Sequence, residues 1–183
     1  MPARTLELLP LRGDLSAPLR GNWVVKLDDP ARSVMTDFTE HHLISVASTL
    51  QVDEALEQMK HAQVRSAFVV DPKKDTIVGL ITAYDIMGEK PIRHIQSNGG
   101  SRDDVTVDDI MDTTRDWQVA RLADVEKATV ATMLETFKAT GRTHIAVIEE
   151  SDGKGPRLRG VFSGAKLLRL TEKARQSGKA GKK

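Results

Sequence analysis

Gly79-Leu80-Ile81-Thr82-Ala83-Tyr84-Asp85 is the stretch on which the fold turns. Thr76-Ile77-Val78 before it begins a short apolar strand, and Ile86-Met87 after it opens a brief helix that Gly88 stops. A strand therefore ends in a small turn, and Thr82 and Asp85, three residues apart, share a face of the first helical turn. The free N–H groups of that turn favour an anion or a ligand hydroxyl. Thr82 donates or accepts there. Asp85 only accepts, and a carboxylate suits two neighbouring hydroxyls such as those of a ribose. The structural alternative makes Thr82 a helix cap and Asp85 a charge that stabilises the helix dipole.

The pattern returns in altered form as Gly160-Val161-Phe162-Ser163-Gly164-Ala165-Lys166. Working outward from both copies exposes a duplication. Val52, Ala55, Leu56 and Met59 make one face of an amphipathic helix, and Val130, Met133, Leu134 and Phe137 repeat it 78 positions later. Ser66–Val70 is a short buried strand, and Thr143–Ile148 matches Arg65–Val70 at the same offset of 78. A turn follows each strand, Asp71–Asp75 and then Glu149–Pro156. The second turn is three residues longer, so Gly160 falls 81 after Gly79. Val107–Met111 echoes Val34-Met35. The weak point is Trp117–Ala128, which stands where Leu43–Leu50 stands in the first copy but lacks a clean strand pattern. Between the copies, Gly88–Pro91 and Ser97–Ser101 read as a polar, flexible linker. Asp29 is expected to cap a short helix with Pro30 at its first position.

Composition narrows the function. The chain has 183 residues, 39% hydrophobic and 29% charged, which fits a globular protein of one domain or two small intertwined ones. A net charge of +1 and 4% aromatic residues leave no strong nucleic-acid footprint. There is no cysteine, hence no disulfide and no thiol catalysis. No apolar run reaches the roughly 18 residues of a membrane span. The first ten residues lack the apolar core of a signal peptide, so a cytoplasmic location is expected. His41 and His42 stand without an acidic or cysteine cluster and do not suggest a metal site. The division expected is an arm (1–29), repeat one (30–90), linker (91–104), repeat two (105–172) and a disordered basic tail (173–183).

This twofold β-α-β-β-α arrangement, an α/β (α+β) fold, resembles the CBS domain family, specifically a tandem CBS pair or Bateman module of the bacterial stand-alone type. The resemblance spans roughly Pro30–Arg169. It rests on Val34-Met35-Thr36, the helix Val52–Ala62, Val69-Val70-Asp71, Gly79–Asp85 and, in the second copy, Asp109-Ile110-Met111, Gly141–Val147 and Gly160–Ser163. It implies a non-catalytic regulatory module that binds AMP, ADP, ATP or another adenosine compound in clefts between the repeats. Asp85 would then hold the ribose hydroxyls and Thr82 the ribose or α-phosphate, while Leu80 and Tyr84 line the base or sugar. Arg142, Thr143 and His144 of the other repeat would close that cleft and offer donors to a phosphate. A second, weaker cleft would be built from Val64, Arg65, Ser66, Ser163 and Lys166. Lys166 replaces the acidic residue there; an ammonium cannot accept from a ribose but can pair with a phosphate. A disc-like homodimer and an unidentified effector protein are the implied partners. The alternative is a dimerisation or interaction scaffold with vestigial clefts. No nucleophile elbow, P-loop or metal cluster in the sequence suggests an enzyme.

Overall fold

The computed structural model describes residues 25–151 and 155–171. Most of the N-terminal arm, the tip of the second hairpin turn and the basic tail lie outside the described residues. In chain order, a 3-10 turn (Ala31–Val34) leads to β1 (Thr36–Asp37), β2 (Ser45–Ala47), α1 (Val52–His61), β3 (Ser66–Asp71), β4 (Thr76–Thr82) and α2 (Ala83–Met87). Next come α3 (Lys90–Asn98), α4 (Val107–Ile110), β5 (Asp112–Thr113), β6 (Ala120–Arg121), α5 (Leu122–Val125), α6 (Val130–Thr140), β7 (His144–Ser151) and β8 (Gly155–Ser163). Residues 164–171 form α7.

Two four-stranded sheets have matching topology, β2-β3-β4-β5 and β6-β7-β8-β1. In each, a parallel pair is followed by an antiparallel hairpin, β3–β4 or β7–β8. Even the irregularities match, with a register shift after Val69 in one hairpin and after Val147 in the other. The short outer strands are exchanged. β1, from the first copy, pairs with β8, and β5, from the second copy, pairs with β4.

The two cores follow the exchange rather than the sequence. Val105, Val107 and Ile110 pack with Val52, Met59, Ile81 and Ile86. Ala31, Val34 and Met35 pack with Val130, Met133, Ile145 and Phe162. The motif glycines explain the close approach of the exchanged strands. A Cβ on Gly79 would stand 2.5 Å from Met111 Sδ and 2.8 Å from the Asp112 carbonyl oxygen. A Cβ on Gly160 would stand 2.7 Å from the Thr36 carbonyl and 2.9 Å from Met35 Sδ. All four distances lie well inside van der Waals contact, so no larger residue fits without displacing the neighbour.

Two local expectations are corrected. Much of the segment expected to be a flexible linker is helical, as α3 starts with Pro91 in its first turn and stops at Gly99, whose φ of 79° ends it. Proline in the first turn costs no helix hydrogen bond, and the run Ile92–Gln96 has no helix breaker. Asp29 does not cap the turn at Ala31, because its carboxylate accepts instead from the Lys26 N–H at 2.8 Å, closing a turn before it. α1 is capped by Gln51, whose side-chain oxygen accepts from the N–H groups of Asp53 and Glu54. The weak strand pattern near Trp117 corresponds to a β6 of only two residues.

Candidate functional site

Phe68, Leu80 and Ala146 are buried, yet they belong to neither core. Phe68 is paired with Leu80 across β3–β4, and Ala146 with Val161 across β7–β8. These residues face the seam between the two halves. There a cavity of about 380 Å³ opens, and Leu80, Trp117, Ala146 and Val161 give it an apolar wall. Its polar edge is Asp112, Gln118, Arg142, Thr143 and His144, with Thr140 and Gly141 beside them. That volume falls in the range of small-ligand pockets.

Four of the expected site residues, Leu80, Arg142, Thr143 and His144, meet in this one cavity. Arg142 reaches back to donate to the Asp116 carbonyl at 2.7 Å. The Thr143 hydroxyl lies 3.1 Å from His144 Nδ1. Burial pushes the His144 pKa below its usual value, against the nearby charges of Asp85 and Asp112, which pull it up. The imidazole is therefore neutral at pH 7, offering one donor and one acceptor.

Thr82 and Asp85 stand beside the cavity, joined in a reciprocal cap. The Thr82 N–H and hydroxyl donate to Asp85 Oδ2 at 2.9 and 2.6 Å, and the Asp85 N–H returns a bond to Thr82 Oγ1. The capping alternative drawn from the sequence is thus present in the structure. The other carboxylate oxygen, Oδ1, meets Lys90 Nζ at 2.8 Å, and the same ammonium bonds Asp112 Oδ1 at 2.8 Å. Burial works against the charge on Lys90, but the hydrogen bonds from Nζ to Asp112 and Asp85 outweigh it and raise its pKa. Asp85 is connected to the cavity through Lys90 and Asp112. Tyr84 is not brought to the cavity. It lies 69% exposed on α2, since the second residue of that short helix faces away from the sheet.

The second set is not equivalent. Lys166 stands where Asp85 stands, and its Nζ donates to Thr36 Oγ1 at 3.3 Å. Ser163 Oγ accepts from the Lys166 N–H at 3.5 Å, a looser cap than that of Thr82. Burial and the charge of Arg169 lower the Lys166 pKa. Val64 and Ser66 are half-buried and Arg65 is exposed. Phe68 occupies the position that Ala146 has in the other sheet. It packs edge-on against Phe38 and Trp117, with ring centroids 5.5 and 6.0 Å away. The room that the small Ala146 leaves is filled on this side by an aromatic ring.

Sequence reasoning missed Asp112, Trp117, Gln118, Ala146, Val161 and Lys90. Asp112 had a signal, since it follows Met111 in the echo of Met35. Lys90 had none, because it arrives from a segment taken for a linker.

Set beside known proteins, the chain matches the CBS domain family model over residues 25–91. The matched segment is similar to a CBS domain, and the chain has the fold of the CBS-pair structures it resembles. A search of curated proteins by sequence found no match. Among solved structures, an uncharacterized conserved protein from Pyrococcus horikoshii is 25% identical, with a TM-score of 0.54 over 80% of this chain and 94% of that one. CBSX2, a CBS-pair protein of Arabidopsis thaliana solved with AMP, is 19% identical, with a TM-score of 0.53 over 80% of this chain and 98% of its own. The CBS domain pair of MJ0100, solved with 5′-methylthioadenosine and S-adenosyl-L-methionine, is 17% identical, with a TM-score of 0.51 over 81% and 98%. Among the described residues no helix is long and apolar enough to cross a membrane.

Proposed function

We propose that this CBS pair is a non-catalytic regulatory module that binds an adenosine nucleotide (AMP, ADP or ATP) in the cavity between its halves. The observation that carries it is the cavity's division into an apolar wall of Leu80, Trp117, Ala146 and Val161 and a donor edge of Arg142, Thr143 and His144. A flat base suits the first, with Trp117 as its stacking partner. A phosphate suits the second, where Arg142 supplies charge and Thr143 and His144 supply neutral donors. Asp85 and Thr82 take the ribose, and Tyr84 covers the cleft mouth if α2 shifts. AMP in CBSX2 and adenosine-derived ligands in MJ0100 support the ligand class.

In the same proposal the Lys166 cleft is the weaker one. Phe68 leaves no matching room for a base, and Lys166 and Arg65 favour an anion over a diol. A homodimer through α2 and α7 belongs to it as well. Met87 and Leu168 hold equivalent positions on these helices, and both are exposed. An effector protein would read the resulting state, and only a ligand with different affinities for two states can shift it. The scaffold alternative draws on one observation, the engagement of Asp85 by its own chain.

Calorimetry and thermal shift with AMP, ADP, ATP and S-adenosylmethionine test the proposal. A ligand at 100 times its Kd adds about 2.7 kcal/mol of stability. Asp85→Ala is expected to weaken binding at least tenfold, about 1.4 kcal/mol for a lost charge-assisted contact. No shift with any adenosine compound leaves the scaffold standing, and undiminished binding by the variant moves the ribose away from Asp85.

A further inference from the structure

The ammonium of Lys90 donates to Asp112 Oδ1 at 2.8 Å and to the Ile110 carbonyl at 3.1 Å, and it is ion-paired with Asp85 Oδ1 at 2.8 Å. Asp85 is correspondingly occupied, with Oδ2 taking two bonds from Thr82 and Oδ1 taking Lys90. Lys90 is the first residue of α3, the helix between the two sequence repeats. Asp112 is at once a wall of the cavity and the start of the exchanged strand β5. One lysine thus ties the connecting helix, the exchanged strand and the carboxylate of the nucleotide motif together.

We infer that Lys90 is a built-in competitor for the Asp85 carboxylate, so that a ligand hydroxyl and the N-terminus of α3 cannot both hold it. The inference rests on the nucleotide proposal above and adds its regulation. A diol needs acceptor positions on Asp85 that point to the cavity, and Oδ2 is already taken by the cap. Oδ1 is the oxygen left, and a ribose bound to it displaces or shares Lys90. The displaced ammonium loses one of its two carboxylates, which loosens the first turn of α3 against β5 and α4. Occupancy of the cleft is in this way coupled to the seating of α3 and of the exchanged segment α4–β5 in the first core. Binding through Asp85 is correspondingly weaker than the bare carboxylate would give.

Adenosine is the probe, because it carries the ribose diol and no phosphate that Lys90 would attract. Its affinity is measured by calorimetry for the wild type and for Lys90→Met, a substitution of similar length without charge. Exchange of the α3 amides is followed with and without adenosine. Lys90→Met is expected to bind adenosine about three- to fivefold more tightly, the span of a partly exposed ion pair. In the wild type, adenosine is expected to speed exchange over the first turn of α3; this arm needs no variant. Unchanged or weaker binding by Lys90→Met, or α3 exchange that adenosine leaves unchanged or slows, overturns the competitor role while leaving the nucleotide site intact. Adenosine binding to neither protein, with AMP and ATP also failing, overturns the nucleotide reading itself and this inference with it.

Discussion

His144 shows how a single side chain connects the cavity to solution conditions. Its ring is held below the usual histidine pKa by burial, with Asp85 and Asp112 opposing. The folded chain therefore binds fewer protons than the unfolded chain between the depressed pKa and the ordinary value of about 6.5. Stability is full above that value and is lost as pH falls through the folded pKa, by no more than about 1.4 kcal/mol per pH unit for one proton. Urea midpoints between pH 7 and pH 5 are expected to fall in the wild type and to fall less in His144→Gln. Equal slopes in both proteins would show that the ring is solvated. Asp37, Asp53 and Asp104 have lowered pKa values and respond at lower pH, outside this window. The His144 position was legible in the sequence because a strand start opposite the motif repeats at a fixed offset. Its neutrality was not, because it depends on burial against a sheet that the sequence does not display. The double use of Thr82 and Asp85 was legible only as two alternatives, since a residue pair three apart caps a helix and faces a ligand with the same atoms.

At the scale of elements, the informative feature is the contact of each hairpin with an exchanged strand. Helices α1 and α6 were readable from their apolar faces, and the hairpins from their turn residues. The two-residue strands β1 and β5 were not, because two residues carry no periodicity. Their only trace is the pair Met35 and Met111, each seated on a motif glycine. Gly79 is thereby a packing residue as well as a motif position. Gly79→Ala is expected to destabilise the protein by about 1–3 kcal/mol through overpacking, because its new methyl meets the Asp112 backbone, which cannot swing aside. The same change shifts Asp112 at the cavity wall, so adenosine binding should weaken along with the denaturation midpoint. Retained stability in Gly79→Ala would mean that β5 yields easily and that the β4–β5 contact is loose. α3 taught the opposite lesson about composition. Its flanking glycines and serines suggested a linker, whereas the stretch between them had enough helix formers, and proline in a tolerated place, to fold.

For the whole molecule, exchange of β1 and β5 sets what can fold alone. A cut at the sequence repeats leaves residues 25–91 with β2, α1, β3, β4 and α2 but without Val105, Val107 and Ile110. Those three residues are buried in the first core, and α1 begins with the Val52 N–H bonded to the Val105 carbonyl. Arg102 reaches back as well, with a bidentate pair to Asp53 and a bond to the Ile86 carbonyl. Removing three buried branched side chains costs about 1.5–3 kcal/mol each, comparable in sum to the whole stability of a small domain. A fragment of residues 25–91 is therefore expected to lack a cooperative unfolding transition. A fragment of residues 38–116, which keeps α3, α4 and β5 and gives up β1 to the other half, should retain one. Circular dichroism against urea distinguishes the two. If the first fragment melts cooperatively and the second does not, the exchanged segments are ornaments on two independent repeats. If the second alone melts cooperatively, the first half owes its core to a segment encoded in the other repeat. A rearrangement at Lys90 would then reach the first core through the exchanged segment α4–β5, whose Ile110 and Asp112 it holds.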